Sequence, residues 1–387
     1  MTDVMHIQLR NARIVEENKI RDGVLNIRNG VIESVEDDCG GGEAIVDCGG
    51  DLLIAGLVDL HTDNLEHHFL PRPGVIWPCA MTSAMAHDGQ ILTSGITTVL
   101  DAMAIGDFET SGARSAILDA AIRALSHAQT ANLLKADHYF HFRCEVSDPA
   151  LMEMLEPHLD HPSLRFLSIM DHTPGQKQFR DLARYRDYRG RKRGMLWGDE
   201  EFTSYIAERM EIQRTYAPKW SERISEAGAA RRLPIASHDD TTVEDVERSF
   251  ASGSSVCEFP TTIEAARHAR RLGMQNVMGA PNIVLGGSHS GNVSASALAE
   301  DGLLDALTSD YIPASLLRAA FALAESGFAL PNAVAMVTTK PAALLGFEDR
   351  GRIAPGMRAD LALVRTIEKV PIVRGVWVAG ERRLWWF

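Results

Sequence analysis

Hydrophobic and polar residues alternate with a period of two near both ends of the chain. Turn-forming Arg-Asp-Gly and Arg-Asn-Gly sequences separate the first alternating segments, and glycines interrupt the last ones. The alternating segments are 6–15, 23–28, 31–35, 359–364 and 372–378. This pattern predicts a small β-sandwich domain to which both termini contribute, comprising residues 1–55 and 346–387.

Between these ends, short apolar runs alternate with helix-like stretches such as 111–130 and 261–272. The runs are candidate strands: 56–60, 97–101, 137–143, 165–170, 234–237, 256–258, 276–278 and 305–308. Repeated strand–helix alternation over roughly 290 residues is typical of an α/β fold of the (β/α)8, or TIM-barrel, type. The sequence therefore predicts such a barrel at 56–345, with a charged, aromatic-rich insertion near 176–220.

Composition and charge exclude some classes of function. The chain has 387 residues and a formal net charge of −13, which argues against non-specific binding to nucleic acid. No apolar run is long enough to cross a membrane, and the N-terminus does not read as a secretory signal, so we expect a cytoplasmic protein with no membrane partner. The 5 cysteines are scattered without a Cys-x-x-Cys pair, which favours neither disulfides nor a thiolate zinc site. Homo-oligomerisation stays open.

Polar residues follow several of the predicted strands at the point where each strand ends. In a (β/α)8 barrel the active site lies at these carboxyl ends. His61 and Asp63 are two residues apart and are therefore expected on one face. The residues that follow later strands are Glu145, Asp171, His172, His238, Asp239, Asp240 and Asp310. One histidine beside a strand can simply bond a backbone group, but such residues at five strand ends favour a site for zinc, manganese or iron.

Several motifs of this chain resemble those of a known protein family. The sequence Gly-Leu-Val-Asp-Leu-His at 56–61, followed by single histidines after later strands and by Asp310, is similar to the amidohydrolase superfamily. The usual His-x-His motif is here His61-Thr-Asp63. With that departure, the chain closely resembles the PhnM family of bacterial alkylphosphonate utilisation, on the strings at 63–66, 71–73, 94–101, 170–176, 236–240, 258–262, 279–282 and 286–292.

The resemblance implies hydrolysis of a phosphorylated sugar phosphonate, α-D-ribose 1-methylphosphonate 5-triphosphate, to the 5-phosphate and pyrophosphate. It implies two zinc ions, with manganese or iron as alternatives. The implied ligands are His61, Asp63 and Asp310 for one ion, His172 and His238 for the other, and Glu145 as the bridge. Asp310 is also implied as the general base of the reaction. Three alternatives stay open: Glu145 as a structural carboxylate beside a single ion, Asp310 as a ligand without the role of general base, and a C–N hydrolase (cyclic amidase or deaminase) on the same scaffold.

A highly charged substrate needs donors beyond the ions. The Gly/Ser-rich loop 286–292 is expected to run directly into a helix at 293–300, whose backbone N–H groups would bind phosphate. Arginine and lysine near the strand ends are further candidates. The predicted substrate-binding residues are Arg72, Arg143, Lys177, Gly287, Ser288, His289 and Asn292. The alternatives are an ordinary flexible turn for the loop and solvated surface charges for the basic residues.

Overall fold

The N-terminal segment forms β-strands in the computed structural model, which describes residues 6–37, 44–106, 113–193, 197–287 and 292–386. The strands are β1 His6–Val15, β2 Ile20–Arg28, β3 Val31–Glu36, β4 Ala44–Asp47 and β5 Leu52–Ala55. β1 pairs antiparallel with β2 and parallel with β4 and β5. The predicted alternating segments at 6–15, 23–28 and 31–35 lie within β1, β2 and β3.

A barrel of parallel strands follows. Its strands are β6 Leu57–Thr62, β7 Ile96–Ile105, β8 Asp137–Glu145, β9 Leu164–Met170, β10 Ile235–His238, β11 Val256–Glu258, β12 Gln275–Gly279 and β13 Ala306–Thr308. Within the described residues they form an 8-stranded sheet in consecutive order from β6 to β13. An isolated parallel bridge between Thr62 and Asp310 brings the first and last strands together. Every predicted strand of the middle region overlaps one of these strands, and the predicted (β/α)8 fold is confirmed.

The C-terminal strands return to the N-terminal ones. They are β14 Leu361–Ile367, β15 Val370–Val378 and β16 Glu381–Trp385. β14 pairs antiparallel with β5, so the described strands of both ends join in one mixed sheet in the order β16-β15-β14-β5-β1-β2-β3, with β4 beside β1. The termini thus complete a common β unit, as the alternating pattern predicted, and its described strands form one mixed sheet where a β-sandwich was expected.

Helices pack around the barrel. They are α1 Asn64–Phe69, α2 Ala80–Thr93, α3 Ala113–Thr130, α4 Leu151–Leu155, α5 Leu182–Arg193, α6 Asp199–Arg231, α7 Val243–Ala251, α8 Ile263–Arg271, α9 Ala280–Val284, α10 Ala295–Glu300, α11 Ser315–Glu325, α12 Leu330–Ala335 and α13 Thr339–Leu344. The predicted insertion at 176–220 contains α5 and the first part of α6. Among the described helices, none combines the length and apolarity that a membrane span requires.

An apolar layer fills the barrel interior beneath the strand ends. One buried residue comes from each of seven strands: Leu60, Leu100, Phe166, Ala236, Val256, Val277 and Ala306. Because strand side chains alternate between faces, residues two positions further along β10 and β11, His238 and Glu258, point to the same interior. The same alternation places Asp101, next to Leu100, on the outer face of β7. The apolar layer therefore forms the floor of a polar cluster.

Gly56 lies at the joint between the terminal sheet and the barrel, and we predict that Gly56→Ala is strongly destabilising. A Cβ there would stand 2.2 Å from Oγ1 and 2.4 Å from Cγ2 of the buried Thr97. Overpacking of this kind typically costs about 1–3 kcal/mol. The control is Gly89→Ala on α2, where a Cβ meets nothing within 4 Å; in a helix it should stabilise by about 0.5–1 kcal/mol. Urea unfolding measures both, and equal stability of the two variants would contradict this account of the joint.

Candidate metal centre

The contact that closes the barrel also assembles the first group of predicted ligands. The Asp310 N–H donates to the His61 carbonyl at 2.9 Å, and the Asp63 N–H donates to the Asp310 carbonyl at 2.7 Å. These backbone bonds connect residues almost 250 positions apart in sequence. As a result, ligand atoms of His61, Asp63 and Asp310 all lie within 4.8 Å of one another.

The geometry of His61 fits a cation. Its ring is buried, its Nδ1 lies 2.8 Å from Oε1 of Glu258, and its Nε2 lies 3.3 Å from Oδ1 of Asp63. Nε2 has no partner with hydrogen-bond geometry among the described residues. A buried polar atom in that state is costly unless something binds it. Imidazole nitrogen and carboxylate oxygen are the donors that divalent transition-metal ions prefer, so these residues fit such an ion.

A second group lies beside the first. Ligand atoms of His172, His238 and Asp239 also lie within 4.8 Å of one another. The rings of His172 and His238 are 5.7 Å apart, and those of His61 and His238 are 6.3 Å apart. The two ligand groups therefore lie side by side at the carboxyl ends of the barrel strands.

Glu145 contacts the second group. Its Oε2 lies 2.5 Å from Nδ1 of His172, while its Oε1 accepts from the Ser147 hydroxyl at 2.5 Å and from the His172 N–H at 3.2 Å. Although burial alone would raise the pKa of Glu145, the neighbouring His172 and these hydrogen bonds lower it. An ionised carboxylate at this position is suited to hold His172, and its predicted role as a bridge between two ions stays a prediction.

Three strand ends turn through residues with left-handed backbone conformation: Asp239 after β10 with φ 58°, Phe259 after β11 with φ 54°, and Asp310 near the end of β13 with φ 56°. Residues other than glycine adopt this region infrequently, and for a bulky residue such as Phe259 it is a genuine outlier. Backbone strain of this kind is concentrated at functional sites. Here it redirects the chain at the strand ends where the two ligand groups meet.

Burial and neighbouring charges set the protonation of the first group. Burial raises the pKa of Asp310 to about 6, and the nearby Asp63 carboxylate adds to the effect. Burial alone would lower the pKa of His61, but Glu258 and Asp63 outweigh it and raise the pKa to about 10. Carboxylates crowd this pocket, and bound cations would relieve that repulsion.

Sequence reasoning missed Glu258 as a site residue. It is fully buried at the end of β11, and its Oε2 lies 3.1 Å from Nδ1 of His238. Although burial alone would raise its pKa, His61 and His238 hold the pKa of Glu258 well below the usual range. The rule that collected polar residues at strand ends would also have found Glu258.

His141 is a second residue that the sequence analysis missed. Its Nδ1 lies 3.1 Å from the Leu60 carbonyl and its Nε2 3.0 Å from the Ser168 hydroxyl. Burial lowers the pKa of His141 to about 3, so the ring is neutral. Its ring meets that of His61 edge-on at 5.0 Å, which fixes the His61 ring from the side.

The basic residues predicted to bind substrate lie in different surroundings. Arg143 is buried and donates to Oδ1 of Asp63 at 2.5 Å, with its Nε left without a hydrogen-bond partner among the described residues. Lys177 donates to the His238 carbonyl at 2.7 Å and lies 3.0 Å from Oδ1 of Asp240. Arg72 is exposed in a turn, where its backbone pairs with Val75. The structure thus brings Arg143 and Lys177, but not Arg72, into contact with the ligand groups.

The glycine-rich loop departs from its prediction. Gly287 and Asn292 are described, whereas Ser288 and His289 lie outside the described residues. The helix after the loop begins at Ala295, not at Val293, because Ser294 has an extended backbone (φ −78°, ψ 142°) and caps the helix.

The first N–H groups of that helix, α10, are already engaged. Ala295 donates to Oδ1 of Asn282 at 2.9 Å and Ala297 donates to the Ser294 hydroxyl at 3.1 Å. The predicted helix start at Val293 is therefore wrong, and the phosphate site expected there stays a prediction. Contacts from Gly287, Ser288, His289 and Asn292 to substrate remain predictions.

A separate buried network lies on the outer face of the barrel, against α2. Asp101 accepts from Nε2 of His87 at 2.6 Å and from Nδ1 of His138 at 2.8 Å, and Nε2 of His138 lies 3.3 Å from Oδ1 of Asp88. Asn64 lies 2.9 Å from Nδ1 of His87, so each ring nitrogen of the network has a polar neighbour. Because its nitrogen and oxygen atoms bind one another in this way, we interpret the network as structural.

This network predicts a pH-dependent stability. Burial alone would lower the pKa of His138, but Asp101 and Asp88 raise it to about 10. Since the folded pKa lies above the unfolded value of about 6.5, the stabilisation is complete below pH 6.5 and is lost as the pH rises towards 10. We expect the stability advantage of the wild type over His138→Gln to shrink across that interval, by a few kcal/mol, in urea unfolding. The control is His127→Gln at an exposed position on α3. An advantage that stays constant from pH 6.5 to 10 would rule out an imidazolium at His138.

A curated relative from Escherichia coli strain K12, alpha-D-ribose 1-methylphosphonate 5-triphosphate diphosphatase, is 42% identical to this chain over 377 residues. The match covers 97% of this chain and 99% of the relative. The chain belongs to this diphosphatase family. The broader amidohydrolase family model matches residues 221–383, so the diphosphatase family is the more complete description of this chain.

Solved structures confirm the amidohydrolase type of the fold. N-isopropylammelide isopropylaminohydrolase from Burkholderia multivorans superposes with a TM-score of 0.64 at 15% identity, covering 98% of each chain. N-acetylglucosamine-6-phosphate deacetylase from Pasteurella multocida gives 0.60 at 13% identity, covering 98% of this chain and 100% of that one. At such low identity the likeness concerns the fold alone.

Proposed function

We propose that this chain hydrolyses α-D-ribose 1-methylphosphonate 5-triphosphate to the 5-phosphate and pyrophosphate, as a step of phosphonate catabolism. The observation that carries the proposal is the 42% identity to the Escherichia coli diphosphatase over nearly the full length of both chains. That match spans every strand end from which the ligand groups are built. The buried His and Asp groups at those strand ends supply a centre for the reaction.

The proposed ligands divide between the two groups. One divalent ion would be held by His61, Asp63 and Asp310, and the other by His172 and His238. Glu145 would either bridge the two ions or hold His172 in place. We propose zinc, with manganese or iron as alternatives. Bound ions would lower the pKa of water and neutralise phosphoryl oxygens in an in-line displacement.

The chain's own residues complete the chemistry. Asp310 is a carboxylate of the first ligand group, where it is placed to act as the general base. It would take one proton from water as the water oxygen bonds to the α-phosphorus. The bond between the α-phosphorus and the oxygen that links it to the β-phosphorus would break, and pyrophosphate would leave with both bonding electrons.

Positive charge is available for the phosphate groups. Arg143 has a buried Nε without a hydrogen-bond partner among the described residues, next to Asp63. Lys177 places its ammonium group beside the His238 carbonyl. Because arginine forks onto phosphate oxygens and lysine acts as a point charge, we propose that both contact the triphosphate.

Steady-state kinetics test the proposal. The zinc- and manganese-loaded enzyme would be assayed for pyrophosphate release from the ribose methylphosphonate triphosphate, with ATP and a cyclic amide as parallel substrates. We expect turnover of the sugar triphosphate, with a kcat/KM that exceeds that for ATP. Turnover of the cyclic amide without hydrolysis of the triphosphate would instead assign the chain to C–N hydrolysis.

A further inference from the structure

We propose that Glu258 is a positioning residue that orients both groups of metal ligands at once, through one carboxylate shared between His61 and His238. The inference rests on the metal centre proposed above. It goes beyond that proposal because it gives the two ligand groups a common support.

The distances support one carboxylate serving two rings. Oε1 of Glu258 lies 2.8 Å from Nδ1 of His61, and Oε2 lies 3.1 Å from Nδ1 of His238. The carboxylate is fully buried and both rings are nearly so. The rings stack at an interplanar angle of 18°, with the same nitrogen of each directed at the same carboxylate.

The opposite nitrogens face the ligand groups. Nε2 of His61 lies 3.3 Å from Oδ1 of Asp63, and Nε2 of His238 lies 3.6 Å from Oδ2 of Asp239. A carboxylate offers only acceptors, so each Nδ1 that it holds must carry the hydrogen. In the neutral ring that binds a metal ion, each Nε2 then presents a lone pair towards its ligand group, which is the tautomer that a metal ligand needs.

The backbone keeps Glu258 in place. The Glu258 carbonyl accepts from the Asp239 N–H at 3.0 Å, and the Phe259 N–H donates to the Val277 carbonyl at 2.9 Å. Phe259 adopts a left-handed conformation, and its ring lies 5.4 Å from that of His61 and 5.2 Å from that of His238. The strained phenylalanine thus packs against the same two rings that Glu258 holds by hydrogen bonds.

Replacing the carboxylate by an amide gives a distinctive prediction. In Glu258→Gln, one oxygen can still accept from one Nδ1–H, but the NH2 group faces the other ring. That ring must then use Nδ1 as the acceptor and carry its hydrogen on Nε2, where it blocks a ligand position. We expect Glu258→Gln to keep one ion at near-native affinity and to bind the other about 10–100-fold more weakly.

The experiment counts ions rather than turnover. Apo wild type and Glu258→Gln would be dialysed against buffered Zn²⁺ over a range of free concentrations, and bound zinc measured by atomic emission. Asp101→Asn is the matched control, because Asp101 also joins two buried histidines, His87 and His138, but on the outer face of the barrel. We expect two ions in wild type and in Asp101→Asn, and one in Glu258→Gln at the free zinc that just saturates wild type.

Each result has a separate meaning. Wild type without bound zinc would overturn the proposed metal centre itself. Two ions bound to Glu258→Gln with native affinity, one ion in wild type, or an equal loss from Asp101→Asn would leave that centre standing and overturn the shared role of Glu258.

A second measurement observes the histidines of the wild type itself. Long-range ¹H–¹⁵N correlation on the zinc-loaded wild type reports the tautomer of each histidine, assigned by single His substitutions. We expect His61 and His238 both to carry the hydrogen on Nδ1. A hydrogen on Nε2 of either ring would contradict the proposal.

Discussion

Asp310→Asn lowers kcat by about 10³-fold or more while the fold is retained. The substitution removes the negative charge of a metal ligand, and it also removes the group that is placed to accept the proton from water. General-base catalysis alone typically raises the rate about 10²–10⁴-fold. The variant keeps the backbone bonds that close the barrel, since the N–H and carbonyl of residue 310 make them. Asparagine also tolerates the left-handed conformation at φ 56°. We therefore expect the loss in kcat with a near-native circular dichroism spectrum.

The matched control for Asp310→Asn is the same substitution at the other end of the strand. Asp305 precedes β13 and pairs with Arg270 and the Asn276 N–H, away from the ligand groups. Asp305→Asn should lower stability without a comparable change in kcat. Near-native kcat in Asp310→Asn would remove Asp310 from the site.

His61→Ala is expected to abolish tight binding of one divalent ion and to lower kcat by several orders of magnitude. Its imidazole has an Nε2 directed at the ligand group and an Nδ1 held by Glu258. Alanine removes the ligand and also leaves Oε1 of a buried carboxylate without this partner, which should cost about 1–3 kcal/mol of stability. Metal content after reconstitution, kcat and urea unfolding measure the three effects.

His127→Ala on the exposed face of α3 is the control for His61→Ala, because it removes an imidazole without touching the pocket. It should keep both metal content and kcat. If His61→Ala retained the full complement of ions, the first ligand group would be assigned incorrectly.

The barrel could be predicted because its signals are local. Short apolar runs at regular spacing mark strands such as β8 and β9 whatever their neighbours, and polar residues placed after them mark the reactive end of the barrel. His61, Asp63 and Asp310 were found in this way, and the structure brings their ligand atoms together.

The remaining features depend on partners far away in sequence. Glu258 joins His61, 197 residues earlier, to His238, and nothing near Glu258 in the chain indicates that it serves both. The start of α10 was misplaced because Ser294 adopts the extended conformation of an N-cap, and Asn282, a residue far back in the chain, accepts from the first N–H of the helix. The pairing of Asp101 with His138 likewise appears only once β7 and β8 are aligned.

The most direct test of the central claim is hydrolysis of the ribose methylphosphonate triphosphate in ¹⁸O-labelled water, followed by phosphorus NMR. Attack at the α-phosphorus predicts ¹⁸O in the 5-phosphate and unlabelled pyrophosphate. Label in pyrophosphate would place the attack on the β-phosphorus, and release of labelled orthophosphate would place it on the terminal phosphorus; either result would contradict the account.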